Sequence, residues 1–195
     1  MKHRVFLLFI LLLVISFPVF SSSKQNHAAI KGAGIGSCQM LVDTVKNKGN
    51  IALFAGWMDG FVSASNINAK NTFDFVPWQS TNTLMEAILN YCVKHPKVNF
   101  FKATSEMLRA LYKNRIVDDA KHVKISIAGK TVFLYAEVIN RIQKQLADLK
   151  LYNGKINGKY DSKTQNSMKE FQKEHKLPVN GLPDQRTLAF LLRPI

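Results

Sequence analysis

Apolar residues recur at helical spacing in two long stretches of the chain, and they alternate in the short stretch between these two. Residues 37–115 carry apolar positions three and four apart, which predicts four helices. Residues 136–195 show the same spacing and predict three more. Between them, in residues 116–135, apolar and polar residues alternate from His122 to Tyr135 on both sides of Ala128-Gly129. This pattern predicts a short β-hairpin with its turn at Ala128-Gly129. The predicted fold is therefore mainly α, with an N-terminal bundle (residues 37–115), a hairpin joint and a C-terminal block (residues 136–195).

Polar residues at the ends of the apolar stretches predict where several helices begin. The first two helices are expected near residues 37–46 and 50–66. Thr83–Glu86 and Ser162–Gln165 have the capping-box pattern, in which a hydroxyl and a carboxylate or amide bind unpaired backbone amides. They predict the starts of the third and sixth helices. Asp184 is expected in the first turn of the last helix, where its charge favours the helix dipole.

The first residues have the three-part layout of a secretory signal peptide. A basic head, Met1–Arg4, precedes the apolar run Val5–Ile15, and Ser21–Ser23 supply small residues for cleavage. The pattern predicts a signal peptide over residues 1–23 and export of the remainder. An uncleaved membrane anchor is the alternative, although the run is short for a bilayer span. Residues 24–36 lack periodicity and predict a flexible leader.

The two cysteines, Cys38 and Cys92, are expected to form a disulfide in an exported protein. The bond would close a loop of 54 residues and stabilise a bundle whose burial alone is marginal. A thiol nucleophile is the competing interpretation; it would need an activating base, and no sequence pattern marks one. The five histidines are scattered without ligand spacing, so neither a metal site nor a cofactor is predicted.

Charge changes this picture by pointing to an anionic partner. The chain has 27 Lys and Arg residues against 13 Asp and Glu, which gives a net charge of +14. Cell-wall polymer, lipid head groups and nucleic acid are the candidate partners. The basic residues are dispersed among acidic ones without a dense run, which disfavours nucleic acid. A length of 195 residues excludes a large multidomain enzyme.

The C-terminal block carries a series of motifs in a characteristic order. They are Ile142-Gln143, Tyr152-Asn153-Gly154, Ile156-Asn157-Gly158-Lys159-Tyr160, Phe171-Gln172, Val179-Asn180-Gly181 and Thr187-Leu188. Together they resemble the peptidoglycan-binding-like domain family over about residues 136–195. Asn157 and Asn180 stand where the family usually has Asp, Asp161 where it has Gly, and Met168 where it has Ala. Because Asn adopts left-handed backbone as Asp does, we expect both turns to persist.

The resemblance implies a three-helix domain that binds cell-wall peptidoglycan without cleaving it. The expected ligand contacts lie in the loop of residues 152–160, which contains two closely spaced glycine turns; they are Tyr152, Asn153, Lys155, Lys159 and Tyr160. The net charge of +5 on the block supports binding of an anionic wall polymer. A ligand role for the two tyrosines requires them to face an open surface. The alternative is that they only pack the loop onto the helices. Gln143 and Gln172 are expected to cap loop backbone rather than bind ligand.

The N-terminal bundle resembles small periplasmic helical proteins with one disulfide. The resemblance rests on Cys38, Gly56–Phe61, Tyr91–Pro96 and the helix from Ala103 to Leu111. HdeA-like acid-stress chaperones and Rap/Tai-type immunity proteins belong to this group. The resemblance implies a protein partner for residues 37–115.

These expectations combine into an exported, non-enzymatic protein, periplasmic or secreted, that is associated with the cell wall. Contact with a membrane would be transient, through the signal peptide, and no nucleic acid is expected. One alternative is a peptidoglycan hydrolase or its accessory subunit, with a wall-targeting domain. Its candidate acids are Asp43, Asp59, Asp74, Glu86 and Glu106, and none of them pairs with another within one helical turn. Binding of nucleic acid or lipopolysaccharide through bulk charge is a third class.

Overall fold

The computed structural model describes residues 28–192, which fold into a helical N-terminal bundle, a β-hairpin and a three-helix C-terminal block, as the sequence predicts. The elements are α1 Cys38–Lys46, α2 Ala52–Asn68, α3 Thr81–Lys94, α4 Phe100–Leu111, β1 His122–Ile127, β2 Lys130–Tyr135, α5 Ala136–Asp148, α6 Ser162–Glu174 and α7 Gln185–Leu191. The predicted signal peptide and residues 24–27 of the predicted leader lie outside the described residues. Within residues 28–192, no helix combines the length and apolarity needed to cross a membrane.

Three helices are capped by residues that the sequence does not predict as caps. Helix α3 starts at Thr81, and the Ser80 hydroxyl caps it by accepting the amide of Thr83 at 3.3 Å. Helix α6 is capped by Asp161 rather than Ser162, because the Asp161 carboxylate accepts the amide of Thr164 at 2.8 Å. A carboxylate is the stronger acceptor and also favours the positive end of the helix dipole. Asp184 caps α7 from just outside it.

The N-terminal bundle surrounds an apolar core that is rich in aromatic rings. Phe54 and Phe100 meet edge to face with ring centroids 5.1 Å apart, and Trp57 stacks on Phe61 at 5.3 Å. The predicted disulfide between Cys38 and Cys92 is confirmed; it joins α1 to α3 at a Cα–Cα distance of 4.7 Å, and both cysteines are fully buried. Covalent and apolar contacts therefore hold the same two helices.

The last residues of the predicted flexible leader are ordered, so the prediction is wrong for this part of residues 24–36. Residues Gly32–Ile35 form a 3₁₀ turn against the bundle, and the Trp57 indole Nε1 donates to the Lys31 carbonyl oxygen at 2.8 Å. A Cβ on buried Gly34 would lie 2.2 Å from the Trp57 ring. The turn thus depends on glycine allowing close approach to one tryptophan, a contact that leaves no periodic pattern in the sequence.

The predicted hairpin is confirmed. Strands β1 and β2 are antiparallel in one register from His122↔Tyr135 to Ile127↔Lys130. Ala128 and Gly129 connect them with φ of 48° and 76°, as a two-residue hairpin turn requires. The hairpin packs on the C-terminal block.

The core of the C-terminal block continues into the N-terminal half of the chain. Trp78 falls within residues 37–115, which the sequence assigns to the bundle, and Ile116 opens the joint; in the structure both are buried in the cluster that contains Leu134 and the inner faces of α5–α7. Gln185 of α7 adds polar contacts across the same boundary. Its Oε1 accepts the Ser80 amide at 2.8 Å and the Thr83 hydroxyl at 2.7 Å, and its Nε2 donates to the Trp78 carbonyl. The two blocks therefore share a packed interface.

Candidate functional site

The loop between α5 and α6 is organised by one buried glutamine. Gln143 extends from α5 with no exposed surface, and its Oε1 accepts the backbone amides of Asn157 at 2.9 Å and Gly158 at 3.1 Å. Its Nε2 donates to the Lys159 carbonyl at 2.8 Å and the Thr164 hydroxyl at 3.1 Å. Because a buried polar group is costly when unpaired, these bonds select one shape for the turn.

The loop between α6 and α7 repeats this arrangement. Gln172, also fully buried, accepts the amides of Asn180 at 3.0 Å and Gly181 at 2.7 Å. It donates to the Leu182 carbonyl at 3.0 Å and the Thr187 hydroxyl at 3.2 Å. The expectation that both glutamines cap loop backbone is confirmed, and the two loops are built on one design.

Both turns need glycine at the same position. Gly158 and Gly181 have φ of 69° and 74°, in the left-handed region. A Cβ on Gly158 would lie 2.8 Å from the Ala136 carbonyl oxygen, and one on Gly181 would lie 2.7 Å from the Gln165 side chain. In each turn, therefore, the glycine lets the backbone pack closely against a neighbouring helix.

The asparagines that replace the family's usual Asp keep the turns intact. Asn157 Oδ1 accepts the amide of Lys159 at 3.0 Å, and Asn180 Oδ1 accepts the amide of Leu182 at 2.7 Å. An amide oxygen thus occupies the acceptor position that a carboxylate would fill. Both turns persist, as expected.

Tyr152 lies inside the loop rather than on an open surface. Only 6% of the residue is exposed; its hydroxyl oxygen lies 3.3 Å from Gln143 Nε2, and the hydroxyl donates to the Lys155 carbonyl at 2.8 Å. A Cβ on Gly154 would lie 2.4 Å from the Tyr152 ring, so the chain folds directly over it. Of the two interpretations of this tyrosine, the geometry favours loop packing over ligand contact.

Tyr160 is partly buried and joins the two turns. Its hydroxyl donates to the Gly181 carbonyl at 2.7 Å. Burial, with a smaller effect from Asp184, raises the pKa of Tyr160 above its ordinary value, so the phenol stays protonated as a donor. The hydroxyl is therefore committed to the fold, and only the ring remains for other contacts.

The three other candidate residues, Asn153, Lys155 and Lys159, are exposed around the first turn. Neither lysine belongs to any of the ion pairs found within residues 28–192. Their ammonium groups are held on a backbone that Gln143 has already shaped. The structure thus brings an amide and two cations to the surface of one ordered loop.

A comparison with known families identifies this region. Residues 136–191 match the model of a family described as a putative peptidoglycan binding domain. This segment is a domain of that family. No curated protein and no solved structure showed significant similarity to the chain. The peptidoglycan-binding domain indicates that the protein binds the cell wall, whereas nothing in the comparisons supports the resemblance of the N-terminal bundle to chaperones or immunity proteins.

The candidate acids of the hydrolase alternative mostly serve the fold of the N-terminal bundle. Asp43 accepts from Gln39 Nε2 at 2.8 Å, and Asp59 accepts from the Thr81 hydroxyl at 2.9 Å. Glu106 pairs with the Arg109 guanidinium at 3.0 Å.

Asp74 ties the bundle to the hairpin. One carboxylate oxygen accepts the amide of Val76 at 2.9 Å, and the other accepts from the Tyr135 hydroxyl at 3.3 Å. Burial first, and the charge of Asp74 second, raise the pKa of Tyr135 to about 12. This carboxylate orients structural groups.

Glu86 borders an apolar cleft of about 270 Å³ between the two blocks, where Trp78, Met107 and Ala189 form part of the wall. It is the single acidic residue among the described residues that line this cleft. Glycoside hydrolysis usually takes two carboxyl groups that flank the scissile bond. Across residues 28–192, no group of three or more His, Cys, Asp and Glu side chains could hold a metal ion.

Proposed function

We propose that this chain is a non-enzymatic protein that holds peptidoglycan on the α5–α6 loop and presents its N-terminal bundle to a protein partner. The observation that carries the proposal is the ordered loop of the peptidoglycan-binding domain, which displays Asn153, Lys155 and Lys159 at the surface. The disulfide and the domain are consistent with an extracytoplasmic, wall-associated location. We place the protein in the periplasm or outside the cell.

Charge and order both support binding at this loop. Stem peptides of the wall carry carboxylates, which the exposed ammonium groups of Lys155 and Lys159 attract. The turn between them is already fixed by Gln143, so binding does not have to order the backbone. Tyr160 can contribute only its ring, since its hydroxyl is bonded to the Gly181 carbonyl.

Exposed apolar side chains on the N-terminal bundle support a protein partner. Ile35, Met40 and Leu53 are all exposed, and a Cβ on Gly36 would lie 3.4 Å from Met40 Sδ. Exposed apolar side chains that lie close together are typical of surfaces that pack against another protein. A chaperone-like or immunity-like role of the bundle toward that partner is the hypothesis for this surface.

Sedimentation of the full chain with purified sacculi tests wall binding. We expect the wild-type protein to sediment, and the double variant Lys155→Gln/Lys159→Gln to bind about tenfold more weakly, because two solvated ion pairs are lost. The matched control is Lys46→Gln/Lys48→Gln, which removes the same charge from exposed positions of the N-terminal bundle. Equal loss in the two double variants would show that bulk charge, not the loop, binds the wall.

The hydrolase alternative is tested on the same material. The proposal expects no soluble muropeptides when the pure protein is incubated with sacculi. Their release, and its loss in Glu86→Gln, would replace the proposal by the enzymatic alternative.

A further inference from the structure

The two turns of the peptidoglycan-binding domain expose the same kind of side chain at the same place. Ile156 is 52% exposed and Val179 is 55% exposed. Each immediately precedes the Asn-Gly pair that a buried glutamine binds, and each lies eight residues before the threonine that the same glutamine bonds. The two residues are therefore equivalent positions in the repeated design.

The segments that lead into the two turns are different, yet the exposed position recurs. Gln143 lies 14 residues before Asn157, whereas Gln172 lies only eight residues before Asn180. Lys155 precedes Ile156, and Pro178 precedes Val179. Exposure of an apolar side chain is therefore not a by-product of loop length or of one neighbouring residue.

Folding gains little from these two side chains. Burial is what makes an apolar side chain stabilising, and about half of each residue remains in water. A single exposed apolar residue is ordinary on a protein surface. The same exposure at both equivalent positions of one domain calls for a role outside the fold.

The two positions are also held at a fixed separation. The hydroxyl of Tyr160 donates to the Gly181 carbonyl at 2.7 Å, so the turns lie side by side. Ile156 is four residues from one of the bonded groups, and Val179 is two residues from the other. Both turns are further fixed by their glutamines, so the spacing does not depend on a flexible segment.

We infer that Ile156 and Val179 are paired apolar contacts for the repeating units of one wall polymer. The ligand chemistry is a small C–H surface, which either the sugar faces of the glycan or the alanyl methyl groups of the stem peptide supply. When one turn binds a polymer, the contact at the other turn becomes intramolecular, so the two contacts together bind more strongly than either does alone. This inference rests on the proposed wall binding. It adds apolar contacts from Ile156 and Val179 to the charged contacts of the two lysines.

Sacculus binding by the full chain tests the pair at about 1 M salt, where the screening length of about 3 Å suppresses the lysine contribution. Ile156→Ser and Val179→Ser are each expected to weaken binding about fivefold, and the double variant about 25-fold, because independent contacts multiply. Ile67→Ser is the matched control, since Ile67 is 82% exposed on α2; we expect it to bind as the wild type does. Thermal unfolding of every variant is measured alongside, and we expect midpoints close to the wild type.

Three results would overturn the pairing. They are wild-type binding by the double variant, a double variant no weaker than either single variant, and a loss of binding that follows a lowered unfolding temperature. A wild-type protein that fails to sediment at any salt concentration overturns the proposed function instead. Sacculi stripped of stem peptides by an amidase then separate the two sources: retained dependence on Ile156 and Val179 supports glycan contact, and its loss supports peptide contact.

Discussion

The two halves of this molecule reach order by different chemistry. In the N-terminal bundle, a disulfide between α1 and α3 lies beside a cluster of aromatic rings. In the peptidoglycan-binding domain, two fully buried glutamines, Gln143 and Gln172, bind the turns that follow their helices. The first device restricts the unfolded chain, whereas the second specifies the conformation of particular loops. A binding loop needs the second kind of order.

Removal of the disulfide is expected to have the largest effect. Cys38→Ser/Cys92→Ser should lower the free energy of unfolding by about 4 kcal/mol, since the bond closes a 54-residue separation. Urea unfolding followed by far-UV circular dichroism measures the change. Sacculus binding should persist wherever the variant is folded, because the loop contacts do not include the disulfide. Unchanged stability would show that the apolar core alone holds α1 to α3.

Loss of one glutamine should come next and should act on a loop. Gln172→Leu leaves the buried amides of Asn180 and Gly181 without their acceptor, at a cost of about 3 kcal/mol. Gln145→Leu on α5 is the control, because its side chain makes none of the hydrogen bonds found in residues 28–192. Urea unfolding compares the two. Equal effects would mean that the buried network contributes nothing specific.

A smaller effect is expected from the contact between the two regions. Gln185→Ala removes the bonds to Ser80, Thr83 and Trp78 and should cost about 1 to 2 kcal/mol. Calorimetry should then show the transitions of the two halves moving apart, while the exposed neighbour change Arg186→Ala leaves a single transition. A single unchanged transition in Gln185→Ala would mean that apolar packing around Trp78 suffices.

The smallest expected effect depends on pH. Hydrogen bonds from Thr164 lower the pKa of Asp161 in the folded protein. A lowered folded-state pKa means that the charged cap stabilises above the unfolded value of about 3.9, and that this contribution is lost as the pH falls through the folded value. Asp161→Asn should therefore be less stable than the wild type by under about 1 kcal/mol at pH 7, since solvent screens this exposed carboxylate, and the difference should shrink as the pH falls below about 3.9. A difference that does not shrink on acidification would assign the effect to the side-chain geometry of the cap rather than to its charge.

The sequence predicts the elements of this fold well where one local signal controls them. Helical spacing predicts the helices of both halves, alternation predicts the hairpin, and export predicts the Cys38–Cys92 bond. The motif series predicts the peptidoglycan-binding domain that the family comparison confirms. Each of these signals is contained in residues that are close in the chain or are specific by type.

The remainder depends on contacts that no local pattern contains. Tyr152 looks like a surface residue of a polar loop, but it is covered because Gly154 lets the chain fold over its ring. Trp78 leaves the bundle for the core of the domain because Gln185, more than a hundred residues later, holds that segment. The repeat of Ile156-Asn157-Gly158 and Val179-Asn180-Gly181 is visible in the sequence, but their exposure is not.

Because Trp78 and Ile116 are buried in the core of the peptidoglycan-binding domain, the two halves of the protein pack on each other and are not joined by the chain alone. Trp78 comes from the N-terminal bundle and Ile116 from the joint, yet both side chains lie in the core of the peptidoglycan-binding domain. A fragment that begins at Ala136 would lack those two side chains and the hairpin, and it would expose the apolar surface that they cover. A protein bound by the N-terminal bundle, as we propose, would therefore be held in one orientation relative to the peptidoglycan-binding domain.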